Sequence, residues 1–400
     1  MLNDKKIGAC GSWRNCVAAL LASLYLVACG SGSASGDVAS GGGSPAPRTG
    51  MKIGTNFWNL GWGIWDDVFR PGVDFATTTD PWNPTFLEEV RHYKVLRFMD
   101  FGRVNSSTEQ RWSERTHKTD ARPAQERLAY EWMIDLCNRT SADLWITLPT
   151  QADDTYALEL AKLVAANLDP SLKVYVEWSN ETWNSGFPQY QYAVNQGLAL
   201  GLGPDSYTAG ARYHVQRSLR LFAQFDAAFG AGSPRVVRVI AGQAVNTFLT
   251  GIHLTALADA RINPTGMIVD AYAIAPYFGH GVDGSATNAF TLLATRVAEA
   301  IAGVRAQHDL IAPSGMRLIG YEGGQHVTTN ADVVNAKPEM YTLYTNYLDG
   351  IAPYLNTFSH YLHNGQWGPG GAWGAERFVA QPLDQAHKLR AIFNWIAAHP

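Results

Sequence analysis

A closed (β/α)8 barrel, one α/β domain of eight parallel strands each followed by a helix, is the fold this sequence predicts. Three observations point to it. Strand-like and helix-like runs alternate through the whole stretch from residue 52 to residue 399, in eight pairs. The region 51–400 suits one such barrel, which commonly takes about 250 residues or more. No Gly-rich phosphate loop follows the first strand, so the signature of an open doubly wound sheet is missing.

The pairs run in order. "KIGTNF" (52–57) reads as the first strand, and a long aromatic loop (62–82) follows it. "NPTFLEEVRHY" carries Pro84 in its first turn, and Phe86, Leu87, Val90 and Tyr93 share one face, which predicts a helix. The second strand is expected at 94–101 and its helix at 124–140. The third strand falls at 143–150, with a helix at 154–168, and the fourth at 173–180. A long helical region, 188–229, is broken by Gly-rich turns. The fifth strand is expected at 235–242 and a helix at 248–261, the sixth at 267–277 and a helix at 289–308. The seventh strand is expected at 316–324 and a helix at 339–355, the eighth at 357–364 and a closing helix at 382–399.

The first residues read as a targeting segment. Lys5, Lys6 and Arg14 precede an apolar run, 17–28, that is short for a bilayer span. "LVAC", ending at Cys29, resembles a bacterial lipobox. That resemblance implies that residues 1–28 are a lipoprotein signal peptide and that Cys29 is lipidated. Ser31, where retained lipoproteins have Asp, implies the outer membrane or cell surface of a bacterial envelope. An ordinary secretory signal cleaved near Ala28 is the alternative. The stretch 29–50 holds Gly, Ser, Ala and Pro with few large apolar side chains, too little to offset ordering entropy, and reads as a flexible tether. Cys137 then remains in an apolar pattern as a buried thiol, with no disulfide framework. A formal net charge of −4 and the absence of a basic cluster argue against nucleic acid as partner. A monomer is expected, touching a membrane only through its lipid.

Reactive groups in such barrels lie at the C-terminal ends of the strands. Asn180 and Glu181 end the fourth strand in "VYVEWSNETWN", and Glu322 ends the seventh in "LIGYEGGQH". Two carboxyls at these ends face one another across the barrel mouth. Hydrolysis of a glycosidic bond with retention uses such a pair, one as proton donor and one as nucleophile, about 5–5.5 Å apart.

An Asn-Glu pair after strand four and a Glu after strand seven resemble clan A glycoside hydrolases, the "4/7" retaining superfamily. The resemblance spans 51–400, although its motifs are short. It implies Glu181 as acid/base, Glu322 as nucleophile and Asn180 as a hydrogen-bond partner of the sugar 2-hydroxyl. It places Arg97, at the end of strand two, near the nucleophile, and makes Tyr277, at the end of strand six, a donor to it. It asks for a Trp near the end of strand eight as the floor of the cleavage subsite, and both Trp367 and Trp373 are candidates. "EWSNETWN" and "YEGGQH" differ from common cellulase signatures, which leaves the substrate open. Glu177 is the rival carboxylate; its strand parity turns it inward, toward a cation such as Arg97.

Thirteen Trp, several of them in Gly-rich loops, suit the apolar faces of pyranose rings. Trp178, Trp183, Trp367 and Trp373 are expected to contact substrate, as is His326, four residues after Glu322. No HExxH helix, Cys-rich zinc spacing or Gly-x-Ser-x-Gly elbow is present, so neither a metal nor a Ser nucleophile is expected, and the two carboxyls need no cofactor. The expected activity is retaining hydrolysis of a β-linked polysaccharide or oligosaccharide, β-glucan first. The rivals are a carbohydrate-binding surface lipoprotein without catalysis and a transglycosylase using the same pair.

Overall fold

Short, largely apolar runs form the staves of a closed barrel: β1 (Lys52–Asn56), β2 (Val95–Arg97), β3 (Asp143–Leu148), β4 (Val174–Trp178), β5 (Val236–Ala241), β6 (Ala271–Ile274), β7 (Arg317–Gly320) and β8 (Thr357–His360). All pair in parallel and in chain order, and β8 closes the barrel on β1 with His360 opposite Thr55. The computed structural model of the chain describes residues 50–120 and 127–400; the expected signal segment, Cys29, nearly all of the expected tether and residues 121–126, with the start of the helix expected at 124, lie outside the described residues. Among the described residues, no helix is long and apolar enough to cross a membrane.

The helices that cover the barrel are α1 (Pro84–Val90), α2 (Tyr130–Thr140), α3 (Asp154–Asn167), α4 (Pro188–Ala199), α5 (Ser206–Phe229), α6 (Thr247–Ala258), α7 (Ala289–Ile311), α8 (Glu339–Ile351) and α9 (His387–Ala398). Several begin on side-chain caps that satisfy otherwise orphaned amides. Asn83 accepts from Thr85 ahead of Pro84, Asp153 from Tyr156, Asp205 from Thr208 and Asn246 from Leu249.

Alternation along the strands separates two cores. On β4, Val174, Val176 and Trp178 face the helices, whereas Tyr175 and Glu177 face the barrel axis. The inner core is small and mixed: Trp145 and Tyr175 stack with centroids 5.3 Å apart, beside Val95, Val239 and Tyr321. The outer core between strands and helices is larger and apolar.

Most strands are shorter than their apolar runs predict. β2 stops at Arg97, β6 at Ile274, β7 at Gly320 and β8 at His360. The runs continue past the last ladder bond, where the backbone turns outward to carry side chains to the mouth. Tyr277–Phe278 and Gly324–Gln325 pair there as a separate two-stranded sheet. The closing helix begins at His387 rather than 382, because the residues before it form turns.

Candidate active site

The C-terminal mouth of the barrel gathers a polar network around one guanidinium. Arg97 leaves the inner face of β2 fully buried. Its Nε donates to Glu177 Oε2 at 3.0 Å and its Nη2 to Glu177 Oε1 at 3.2 Å, a bidentate pair. Nη1 donates to Glu322 Oε2 at 3.2 Å and to Asn56 Oδ1 at 3.1 Å, and Nη2 also reaches Asn180 Oδ1 at 2.9 Å. The ring of Tyr321 lies under the guanidinium at 4.9 Å. A planar fork with five donors suits this task, and lysine does not supply it.

Glu177 is saturated. Besides Arg97 it accepts from the Trp145 indole at 2.8 Å. It faces Arg97 as its parity predicts, and its acceptor sites are occupied by protein donors.

Glu181 stands apart from that pair. The chain leaves β4 through Ser179 at φ 59° and Glu181 at φ 44°, both left-handed, and this turn lifts Glu181 over the mouth. Its Oε1 accepts from the Tyr321 hydroxyl at 3.0 Å and its Oε2 from the Asn184 amide at 2.9 Å. Asn180, one residue earlier, donates to Asn105 Oδ1 at 3.1 Å while it accepts from Arg97.

Glu322 follows β7 directly and is 3% exposed. Gly323 and Gly324 come next with φ of 156° and 120°, and a Cβ on Gly324 would sit 2.5 Å from the Tyr344 hydroxyl. The two glycines therefore let the chain turn under Glu322. Tyr277 lies beside Glu322 and pulls the pKa of its carboxyl down.

Burial and the charge of Glu181 push Glu322 up to about 8, against the pull of Arg97. Burial also raises Glu181, eased by Asn184 and Tyr321. Two buried carboxyls that feel one another do not both ionise readily, so the pair holds one proton near neutral pH. The donors bias where the charge sits. Glu322 takes a hydrogen bond from a cation, whereas both donors on Glu181 are neutral, which favours the proton on Glu181.

His326 lies beside Tyr277, ring centroids 5.0 Å apart. The Trp373 indole donates to its Nδ1 at 3.1 Å, which leaves the hydrogen on Nε2. That Nε2 is buried without a partner among the described residues, and burial pushes the imidazole down to about 4, so it is a neutral donor. Trp183 and His326 line one cleft with Glu181, Asn184 and Tyr277, and the Trp183 indole nitrogen is likewise unpartnered there. Trp373 stacks on Trp58 at 5.9 Å, and Trp62, 45% exposed, meets Trp58 edge-on at 4.7 Å.

One expected substrate contact, Trp178, is corrected, and another, Trp367, is held by its own loop. Trp178 is 1% exposed and packs outward on Tyr213 and His214, its N–H donating to Thr150. It sits one residue from Glu177, so pleat parity turns it to the helices. Trp367 donates to the Gly374 carbonyl and carries Arg377 over its ring at 4.8 Å, so it braces the loop after β8. Of the two tryptophans beyond β8, Trp373 is the one at the mouth. The sequence reading missed Asn56, Tyr321 and Asn184, which hold the charged groups. Asn184 alone left a trace, three residues after Glu181.

No protein-family model matches the chain, and no curated protein matches it in sequence. Solved structures do resemble it. A 4-O-α-L-rhamnosyl-β-D-glucuronidase from Fusarium oxysporum, in complex with Rha-GlcA, superposes with TM-score 0.52 at 14% identity, covering 88% of this chain and 72% of that one. A GH51 α-L-arabinofuranosidase from Thermotoga petrophila gives 0.49 at 13% identity over 86% and 70%, and a family 26 endo-β-1,4-mannanase from Cellulomonas fimi gives 0.48 at 11% over 87% and 71%. At such identities the likeness is one of fold, and the Fusarium oxysporum enzyme is the one among these three that carries it: this chain is a (β/α)8 barrel.

Proposed function

We propose that this chain is a retaining β-glycoside hydrolase, with Glu322 as nucleophile and Glu181 as acid/base. One observation carries the reading: two buried carboxyls at the C-terminal mouth, one bonded by a guanidinium and one by neutral donors only. In the first step Glu322 attacks the anomeric carbon while Glu181 gives its proton to the departing oxygen. In the second, Glu181 takes a proton from water, which attacks the same carbon and frees Glu322. Asn180 offers its remaining amide hydrogen to the sugar, and the neutral His326 Nε2–H offers another. Trp58, Trp62 and Trp373 give a platform for pyranose faces, which favours a β-linked polysaccharide, β-glucan first. Cys29 at the end of the signal run supports lipid anchoring in a bacterial envelope.

Azide separates the two roles. Glu322→Ala is expected to be inactive on all unassisted glycosides. Glu181→Ala is expected to fail on polysaccharide but to react with an activated aryl glycoside. Azide then restores its turnover and gives the glycosyl azide of retained configuration; with Glu322→Ala it gives the inverted azide. The opposite pattern exchanges the two residues, and full activity of Glu181→Ala on polysaccharide sinks the assignment.

A further inference from the structure

A second cluster of ionisable groups lies away from the mouth, where the loop after β8 returns to α1. We propose that Glu89, His363 and Glu376 bind a zinc ion that clamps this loop to the barrel. His363 Nε2 lies 3.3 Å from Glu89 Oε2 and 3.5 Å from Glu376 Oε1, and the three ligand atoms all fall within 4.8 Å of one another. Tetrahedral ligands bound at about 2.0–2.1 Å stand about 3.3 Å apart, so the two measured edges are of the right size.

The ligand atoms are otherwise idle. His363 and Glu376 are fully buried, yet His363 Nε2, both carboxylate oxygens of Glu376 and Glu89 Oε2 make no hydrogen bond among the described residues. Four such atoms converging in one place are costly unless something binds them. The rest of the cluster is built to aim them. The Tyr93 hydroxyl lies 3.2 Å from His363 Nδ1, the outer partner that a metal-bound imidazole ordinarily has. Glu89 Oε1 accepts from the Ala380 amide at 3.0 Å, which leaves Oε2 for the centre. The Glu376 amide bonds the His363 carbonyl, which fixes the two ligands across a short bridge.

Charge supports the same reading. As ligands, two carboxylates and an imidazole bring −2, which a divalent ion cancels. Imidazole nitrogen with carboxylate oxygen suits zinc, whereas calcium and magnesium take oxygen ligands. The spacing of these three residues in the chain matches no ligand motif, and so the sequence alone gives no sign of the site.

The experiment uses the full chain, stripped with a chelator and then titrated calorimetrically with zinc chloride, with calcium chloride as comparison. One zinc per chain and a higher Tm on zinc addition are expected. Glu376→Gln and Glu89→Gln, checked for folding by circular dichroism, are each expected to weaken zinc binding at least about tenfold and to abolish the Tm response. Glu89 is partly accessible, so its variant carries the test where Glu376→Gln does not fold. Absence of saturable zinc uptake, saturation by calcium instead, or equal zinc uptake by the wild type and both variants overturns the proposal.

Discussion

Position 181 is held against local preference. A non-glycine residue at φ 44° is disfavoured by about 1–2 kcal/mol, and the carboxyl is buried besides. Asparagine tolerates this conformation better and keeps acceptor and donor atoms. Glu181→Asn is therefore expected to raise Tm by a few degrees while it abolishes polysaccharide hydrolysis; a lower Tm in thermal unfolding would count against this account. Tyr321 tests the proton. Its hydroxyl stabilises the ionised form of Glu181, so Tyr321→Phe raises the pKa of that group. The acid needs that proton, so kcat/KM is expected to fall as rising pH removes it from the pair. Tyr321→Phe should move this alkaline limb upward by about one pH unit. An unmoved limb would mean that another group supplies the proton.

The end of each strand decides which residues meet. Glu181 and Glu322 were legible because both follow apolar runs directly, at the fourth and seventh of eight counted strands. Arg97 came from the resemblance and Glu177 from pleat parity, and the same parity, applied to Trp178, would have turned it outward. Tyr321 was not legible: it looks like one more apolar strand residue, and its partner lies 140 residues away. Trp367 and Trp373 share a Gly-rich loop, and only its folding shows which ring reaches His326. The loop gives a paired prediction. Trp373→Ala removes both the platform and the donor that sets the His326 tautomer, and KM for polysaccharide is expected to rise about tenfold. Trp367→Ala should leave KM near wild type and lower Tm. Equal KM effects from both variants would place Trp367 at the substrate after all.

At the scale of the whole molecule, eight sequence-counted strands and their helices reappear as a closed barrel, while the expected tether and anchor fall on residues outside the described part. Cys29→Ala is expected to release the protein from the membrane fraction, because one peptide signal without its acyl chains does not hold a bilayer. Unchanged fractionation would argue for another means of attachment. The closure of β8 on β1 has a kinetic side. Thr55 bonds the carbonyl of His360 across 305 residues, and Asn56, which steadies Arg97, reaches carbonyls of Tyr321 and Ser359 at similar range. A fold rich in contacts of such high order folds slowly. The stave that closes the barrel is thus also the one that steadies the guanidinium under Glu322, and a chain halted before residue 357 carries both carboxyls of the proposed pair without the frame around them.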